Sequence, residues 1–260
     1  MECPDLFPLG DKWVLVGSLY KTNQWWVGTI AGNPPRFTPE QVGILDYGNG
    51  YAAKTGTTWV QSGDARRLVF GFTGWSEPTM PTGCGRALII PRDLKVQGSE
   101  LKISPIPETA VLRKPGTMHA GDAASAALAS GSQVELRLNC STSASTGKVG
   151  LRTLATSDGK HYTEIGYDFE ARAFYADHSS CCAAPNTIVQ RAPLSTAMLG
   201  QRMELSVFVD GGLIEAFLGG RVITPLVAPD ADAGAPADRV TTVTNTASVT
   251  CTVASWQLAY

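Results

Sequence analysis

The chain carries no excess of charge of either sign, no long apolar run, few histidines and no segment that keeps a helical period. Its 21 basic and 23 acidic residues leave a formal net charge of -2. Such a surface offers no field that would draw in nucleic acid or an anionic membrane, so neither is expected as a partner. No apolar stretch reaches the ~20 residues of a membrane-spanning helix. His119, His161 and His178 are scattered, and each lacks a second ligand or nucleophile at useful spacing, which argues against metal or triad chemistry. No glycine loop of the phosphate-cradling kind stands out, and no cofactor is implied. The first residues are polar and include Pro4 and Asp5, unlike a signal peptide.

Cysteine is not scarce. Cys3, Cys84, Cys140, Cys181, Cys182 and Cys251 fit no zinc spacing, because Cys181 and Cys182 are adjacent rather than two residues apart. Six cysteines allow about 15 pairings, among which Cys140 with Cys181 or Cys182 is one candidate. Asn139-Cys140-Ser141 is a glycosylation sequon, which points to a secretory compartment if it is used.

Short runs of β-branched and alternating residues, separated by Gly, Pro, Asn and Asp, fill the chain and predict an all-β protein. In the first part, strands are expected near Trp13–Gly17, Trp25–Ile30, Thr58–Gln61, Leu68–Phe72, Ala87–Ile90 and Leu101–Ile103. Trp25 and Trp26 face opposite ways on such a strand, so at least one belongs to a core and the other is free to act as a flat binding platform. From about Thr109 the character changes. Val134, Leu136 and Leu138 alternate with Glu135, Arg137 and Asn139, which predicts one face on a core and one toward water. Leu205, Val207 and Val209 repeat the pattern, and Asp210-Gly211-Gly212 then turns the chain into Leu213–Leu218 as a hairpin. Asp158-Gly159 is a second turn, and Ala228–Asp238 reads as a solvated loop. The division expected is 1–108 and 109–260, the second part long enough for a β-sandwich of its own.

Several segments resemble, in order, the signatures of glycoside hydrolase family 32, the invertases and fructan hydrolases. Met1-Glu2-Cys3-Pro4-Asp5-Leu6-Phe7 is similar to the family's Trp-Glu-Cys-Pro-Asp-Phe-Phe. Asp46-Tyr47-Gly48 with Tyr51-Ala52-Ala53-Lys54-Thr55 resembles its Asp-Tyr-Gly and Tyr-Ala-Ser-Lys-Thr segment. Arg66–Phe72, Ile90–Leu94, Val207–Asp210, Ile214–Phe217 and Gly219-Gly220-Arg221 extend the match along the chain. The family's Asn-Asp-Pro segment, which carries the nucleophile, and its Arg-Asp-Pro segment have no counterpart in this sequence. Both precede the Glu-Cys-Pro motif in the family, so the chain resembles a C-terminal portion.

The resemblance implies a five-bladed β-propeller, of which about the last two to three blades are present, followed by a C-terminal β-sandwich. A blade needs roughly 40–50 residues. An open ring exposes strand edges, so the first part alone is expected to be poorly stable. The implied activity is β-fructofuranosidase-type hydrolysis, by a retaining mechanism, of terminal fructosyl units of sucrose or fructans. Glu2 would be the acid/base; against this stands a solvated, frayed terminus. Cys3 would pack against the sugar site as a free thiol, or simply as a small buried hydrophobe. Asp46 and Tyr51 would bind substrate, the carboxylate by sugar hydroxyls and the ring by an apolar sugar face. Asp46 reads equally as turn chemistry. Glu215 reads as structural. Plant invertases carry an Asp-x-x-Lys pair where Tyr20 and Asn23 stand here, which shifts the expectation from sucrose toward fructans.

A lone acid/base cannot complete a two-carboxylate reaction, so the chain by itself is expected to be inactive. The alternative is a non-catalytic carbohydrate-binding or interaction protein derived from the same family. If a signal peptide lies upstream, the expected compartment is secretory or vacuolar; oligomeric state is left open.

Overall fold

The structure, a computed structural model, describes residues 1–20, 22–59, 65–73, 87–122, 128–181, 189–227 and 238–259. Among these it is almost entirely β. The first four strands, β1 (Glu2–Leu9), β2 (Lys12–Leu19), β3 (Thr22–Ala31) and β4 (Arg36–Asp46), form an antiparallel meander. A second four-stranded meander follows: β5 (Gly50–Trp59), β6 (Ala65–Thr73), β7 (Arg92–Gln97) and β8 (Glu100–Pro105). These are two propeller blades. A 3-10 segment, Pro107–Leu112, leads out of them.

The rest of the chain is a β-sandwich. Its strands are β9 (His119–Asp122), β10 (Ala129–Ser130), β11 (Gln133–Ser141), β12 (Lys148–Ala155), β13 (Thr163–Asp168) and β14 (Ala173–Asp177). Then come β15 (Val189–Pro193), β16 (Arg202–Asp210), β17 (Leu213–Leu218), β18 (Arg221–Ile223), β19 (Val240–Asn245) and β20 (Cys251–Gln257). Two six-stranded sheets result, in the orders β10-β19-β12-β13-β14-β15 and β18-β17-β16-β11-β20-β9.

The β16–β17 hairpin turns at Gly211 as expected, with φ of 60°. Gly159 sits at φ 70° in the Asp158-Gly159 turn. Strands β1, β4 and β7 escaped the sequence reading because Pro4, Pro8, Pro39 and the charges of Arg36–Gln41 or Arg92–Lys95 break the apolar alternation. Ala87–Ile90 is not a strand but makes a single bridge, Phe72 with Leu88. Gln61, Trp75, Cys84, Cys182 and nearly all of the loop expected at Ala228–Asp238 lie outside the described residues.

Among the described residues, two hydrophobic clusters hold the molecule together. One fills the sandwich between its sheets, with Val134, Leu136, Leu138, Leu151, Ile165, Phe174, Leu205, Val207 and Ile214. The other joins Phe7, Val14, Val16, Trp25, Val27 and Leu45 of the first blade to Ala53, Val69 and Leu94 of the second. It continues into Phe208, Phe217, Val222 and Leu258 of the sandwich. Trp25 is therefore core, its indole N–H donating to the Ile44 carbonyl at 3.1 Å, while Trp26 on the opposite face is partly exposed.

This continuity corrects one expectation. Glu135 is not turned to water but fully buried, because that face of the sheet is covered by the connecting segment. Arg113 grips its carboxylate through Nε at 2.7 Å and Nη2 at 2.6 Å. Phe208, alternating with Val207 and Val209, is buried for a related reason: it meets the blades.

The disulfide expectation is corrected as well. Cys140 pairs with Cys251, not with Cys181 or Cys182. The two stand directly opposite in β11 and β20, with Cα atoms 4.1 Å apart, as non-hydrogen-bonded neighbours in an antiparallel pair do. Cys181 lies beyond β14 in the other sheet and is itself disulfide-bonded. The sequon residue Asn139 sits within β11, flanked by Glu204 and Thr252.

Candidate active site

The first strands of the two blades, β1 and β5, lie side by side. Each carries an irregularity at the same level. Pairing shifts between Glu2 and Asp5 on β1, and between Tyr51 and Lys54 on β5. At each bulge a residue with a side chain takes the left-handed region, Cys3 at φ 48° and Ala52 at φ 50°. Bulges of this kind re-aim side chains at sheet rims. Here they bring the Tyr51 hydroxyl to Glu2, to which it donates a hydrogen bond of 2.6 Å. That donation first, and burial second, pushes the Tyr51 phenol up to about 12. Tyr51 is buried, its ring edge-on to Phe72 at 6.3 Å between centroids. Glu2 is exposed, and Cys3 is half-buried and a free thiol.

A row of further contacts pins the Glu2–Asp5 bulge to β5. Lys54 Nζ donates to the Pro4 carbonyl at 2.7 Å. Thr55 donates to Asp5 Oδ2 twice, from its backbone N–H at 2.9 Å and from Oγ1 at 2.6 Å. Arg67 backs the cluster: Nε donates to Thr55 Oγ1 at 2.7 Å, and the guanidinium lies 4.1 Å above the Phe7 ring. Charge-assisted bonds of this sort are the strong ones. The sequence reading quoted Asp5 and Arg67 within motifs but gave neither a role. Their shared surroundings follow from blade packing, to which sequence spacing gives no access.

Asp46 is 1% exposed, and its oxygens are taken by the protein. Oδ1 accepts the Gly48 N–H at 2.7 Å, the turn bond that was one of its two readings, and the Thr224 N–H at 3.2 Å. Oδ2 accepts Arg92 Nη1 at 2.8 Å and Thr224 Oγ1 at 2.6 Å. Arg92 Nη2 continues to Glu215 Oε2 at 2.8 Å, and Glu215 Oε1 accepts the Ile90 N–H at 2.7 Å. Burial works against the charge on Arg92, but the adjoining Asp46 and Glu215 carboxylates more than offset it and hold its pKa up. Burial pushes the Glu215 carboxyl up, with Arg92 pulling the other way. Glu215 is thus structural, and close to the blades despite its distance in sequence. Asn23 is buried too, accepting Ser18 Oγ at 2.6 Å and donating to the Gly50 carbonyl at 3.2 Å. Tyr20, by contrast, is 99% exposed.

A separate cleft of about 450 Å³ opens where the second blade meets the sandwich, lined by Phe70, Leu88, Ile89, Leu213 and Glu215 among others. Neither Glu2 nor Tyr51 borders it.

Two propeller blades, a β-sandwich packed onto them, and a carboxyl group held by a phenol between adjoining first strands define a partial β-propeller joined to a β-sandwich. Comparison with known families agrees. Residues 1–105 match the model described as the N-terminal domain of glycosyl hydrolases family 32, and residues 108–257 match that of the family 32 C-terminal. The chain belongs to glycosyl hydrolase family 32.

Among curated proteins, a sucrose-6-phosphate hydrolase of Zymomonas mobilis is 32% identical over 128 residues, 44% of this chain and 24% of that protein. Among solved structures, the Bombyx mori family 32 β-fructofuranosidase BmSUC1 superposes with a TM-score of 0.75 at 22% identity. That alignment covers 99% of this chain and 54% of the silkworm protein. Fructan 1-exohydrolase IIa of Cichorium intybus gives 0.76 at 17% identity, over 99% of this chain and 61% of its own. These likenesses establish the fold. The chain spans little more than half the length of these structural relatives.

Proposed function

We propose that this chain contributes the acid/base side of a retaining β-fructofuranosidase-type glycosidase acting on terminal fructosyl units of sucrose or fructans. The observation that carries the reading is the 2.6 Å bond from Tyr51 to Glu2 in a family 32 chain. Glu2 protonates the glycosidic oxygen as the bond to the fructosyl carbon breaks, then takes a proton from the water that releases fructose from a covalent intermediate. Tyr51 holds the Glu2 carboxyl in place and offers its ring to an apolar sugar face; the Cys3 thiol lines the same wall. Asp46 supports that wall from behind, since its acceptor positions are filled by Arg92, Thr224 and Gly48. The nucleophilic carboxylate is supplied from outside these motifs, about 5–5.5 Å from Glu2. We divide the chain at 108/109, blades before and sandwich after.

The open face of the first blade supports a role within a larger propeller. Leu6, Leu15, Trp26 and Val42 pair across all four strands, on the side turned away from the second blade. Leu6 and Val42 are 44% and 54% exposed. A stand-alone binding protein would be expected to carry polar residues there.

The test is to read the codons upstream of Met1, express the extended chain, and assay fructose release from sucrose, sucrose 6-phosphate, 1-kestose and inulin. The extended chain is expected to be active, with Glu2→Gln lowering the rate about 10²–10⁴-fold. The 260-residue chain is expected to release nothing above its Glu2→Gln control. Release by the short chain that survives this substitution refutes the assignment, and an upstream stop codon would favour the non-catalytic alternative.

A further inference from the structure

We propose that the sandwich sets the geometry of the Glu2–Tyr51 pair, with Thr224 as a positioning residue and Arg92 and Glu215 as its support. The turn Asp46–Gly50 runs straight into Tyr51, and it is docked on the sandwich as well as on Asn23 of the first blade. Tyr47 N–H donates to the Val222 carbonyl at 3.0 Å and Asn49 N–H to the Thr224 carbonyl at 2.8 Å. Thr224 also donates to Asp46 from both its backbone N–H and Oγ1. The fit leaves no slack. A Cβ on Gly48 would lie 2.4 Å from Thr224 N, and one on Gly50 would lie 2.2 Å from Asp46 Oδ2. The position of the Asp46 carboxylate and the path of the Gly50 backbone are therefore coupled.

Two routes lead from that turn to Glu2. The direct one passes through Tyr51 and its hydroxyl. The other runs from the Gly50 carbonyl to Asn23, then to Ser18, which is the strand partner of Glu2. Tyr51, Asn23 and Ser18 are buried, and hydrogen bonds join Tyr51 to Glu2 and Asn23 to both Gly50 and Ser18; the remaining links are the chain from Gly50 to Tyr51 and the strand pairing of Ser18 with Glu2, a contiguous network of the kind that carries coupling. A reactive group held within about 0.5 Å needs support of this kind. The sandwich thus acts on the site through packing and hydrogen bonds, without touching substrate.

The inference rests on Glu2 and Tyr51 being the working pair, but its readout is the ionisation of Tyr51, which is independent of fructose release. The chain is labelled with ¹³Cζ-tyrosine and the Tyr51 signal identified by its loss in Tyr51→Phe. At pH 10.5 a phenol with a pKa of about 12 is roughly 3% ionised, against about three quarters for an ordinary one. In Thr224→Val, which removes Oγ1 and keeps the volume, the Tyr51 signal is expected to move toward the ionised form; Thr224→Ser is expected to restore it. Ile165→Val, in the sandwich core, is expected to leave Tyr51 unchanged. Should Thr224→Val fail to fold, Glu215→Gln serves, with the same expected direction. The proposal is overturned if Thr224→Val is folded and Tyr51 is unmoved, if Ile165→Val moves it equally, or if neither Thr224→Val nor Glu215→Gln folds.

Discussion

Replacing Arg92 by leucine tests the energetics of the junction directly. The side chain is 1% exposed and stands between two carboxylates that are 1% and 2% exposed, each 2.8 Å from a guanidinium nitrogen. Removing it leaves two buried like charges facing each other. Breaking one buried pair from one side costs about 3–5 kcal/mol, so Arg92→Leu is expected to lose about 4 kcal/mol at neutral pH. At roughly 2 °C per kcal/mol for a chain of this size, that lowers Tm by about 8 °C. The loss has a pH signature whose sign follows from linkage. Glu215, raised by burial even beside Arg92, rises further without it, so the folded variant keeps a proton that the unfolded chain gives up near 4.5. Between 4.5 and the folded value the native state binds more protons, and stability falls as pH rises. The deficit relative to wild type is therefore expected to shrink on acidification from pH 7 toward 5. Differential scanning calorimetry across that range measures it. A variant within about 1 kcal/mol of wild type at pH 7, or a deficit that does not change with pH, refutes the account.

Gly48→Ala drives a methyl group into the backbone of Thr224 and is expected to cost about 1–3 kcal/mol by overpacking, read from chemical denaturation. Replacing Cys140 and Cys251 together by serine opens a covalent loop spanning 111 residues; the chain-entropy relation gives a loss of about 5 kcal/mol, again read from denaturant midpoints. Tyr51 should stay largely protonated at pH 11, its pKa being pushed up to about 12; because its folded pKa is raised, the stability it brings is complete below the ordinary phenol value near 10 and is lost as pH rises toward 12, and Tyr51→Phe should abolish that alkaline component in a pH series of denaturation midpoints. A polypeptide of residues 1–108 alone is expected to aggregate, since it loses Phe208, Phe217, Val222 and Leu258 from its core; a sharp, reversible melt measured by circular dichroism would contradict this.

Much of the fold was legible in local pattern. Period-two alternation in Val134–Leu138 and Leu205–Val209, and glycine at the positive-φ corner Gly211, depend on backbone geometry within a few residues. Glu2, Cys3 and Tyr51 were named because contiguous motifs carry them. Other features depend on partners far away in sequence. Cys140 and Cys251 are joined because register sets β11 against β20. Glu135 is buried because Arg113 returns over its face. Asp46 is bonded to Arg92 and Thr224, 46 and 178 residues away, partners that local pattern does not reveal. A sequence specifies which face of a strand is apolar, since that depends only on alternation. Which polar groups end up paired in the dark between a blade and a sandwich depends on how the sheets stack, and the cost of burying an unpaired charge is what makes tertiary structure settle it.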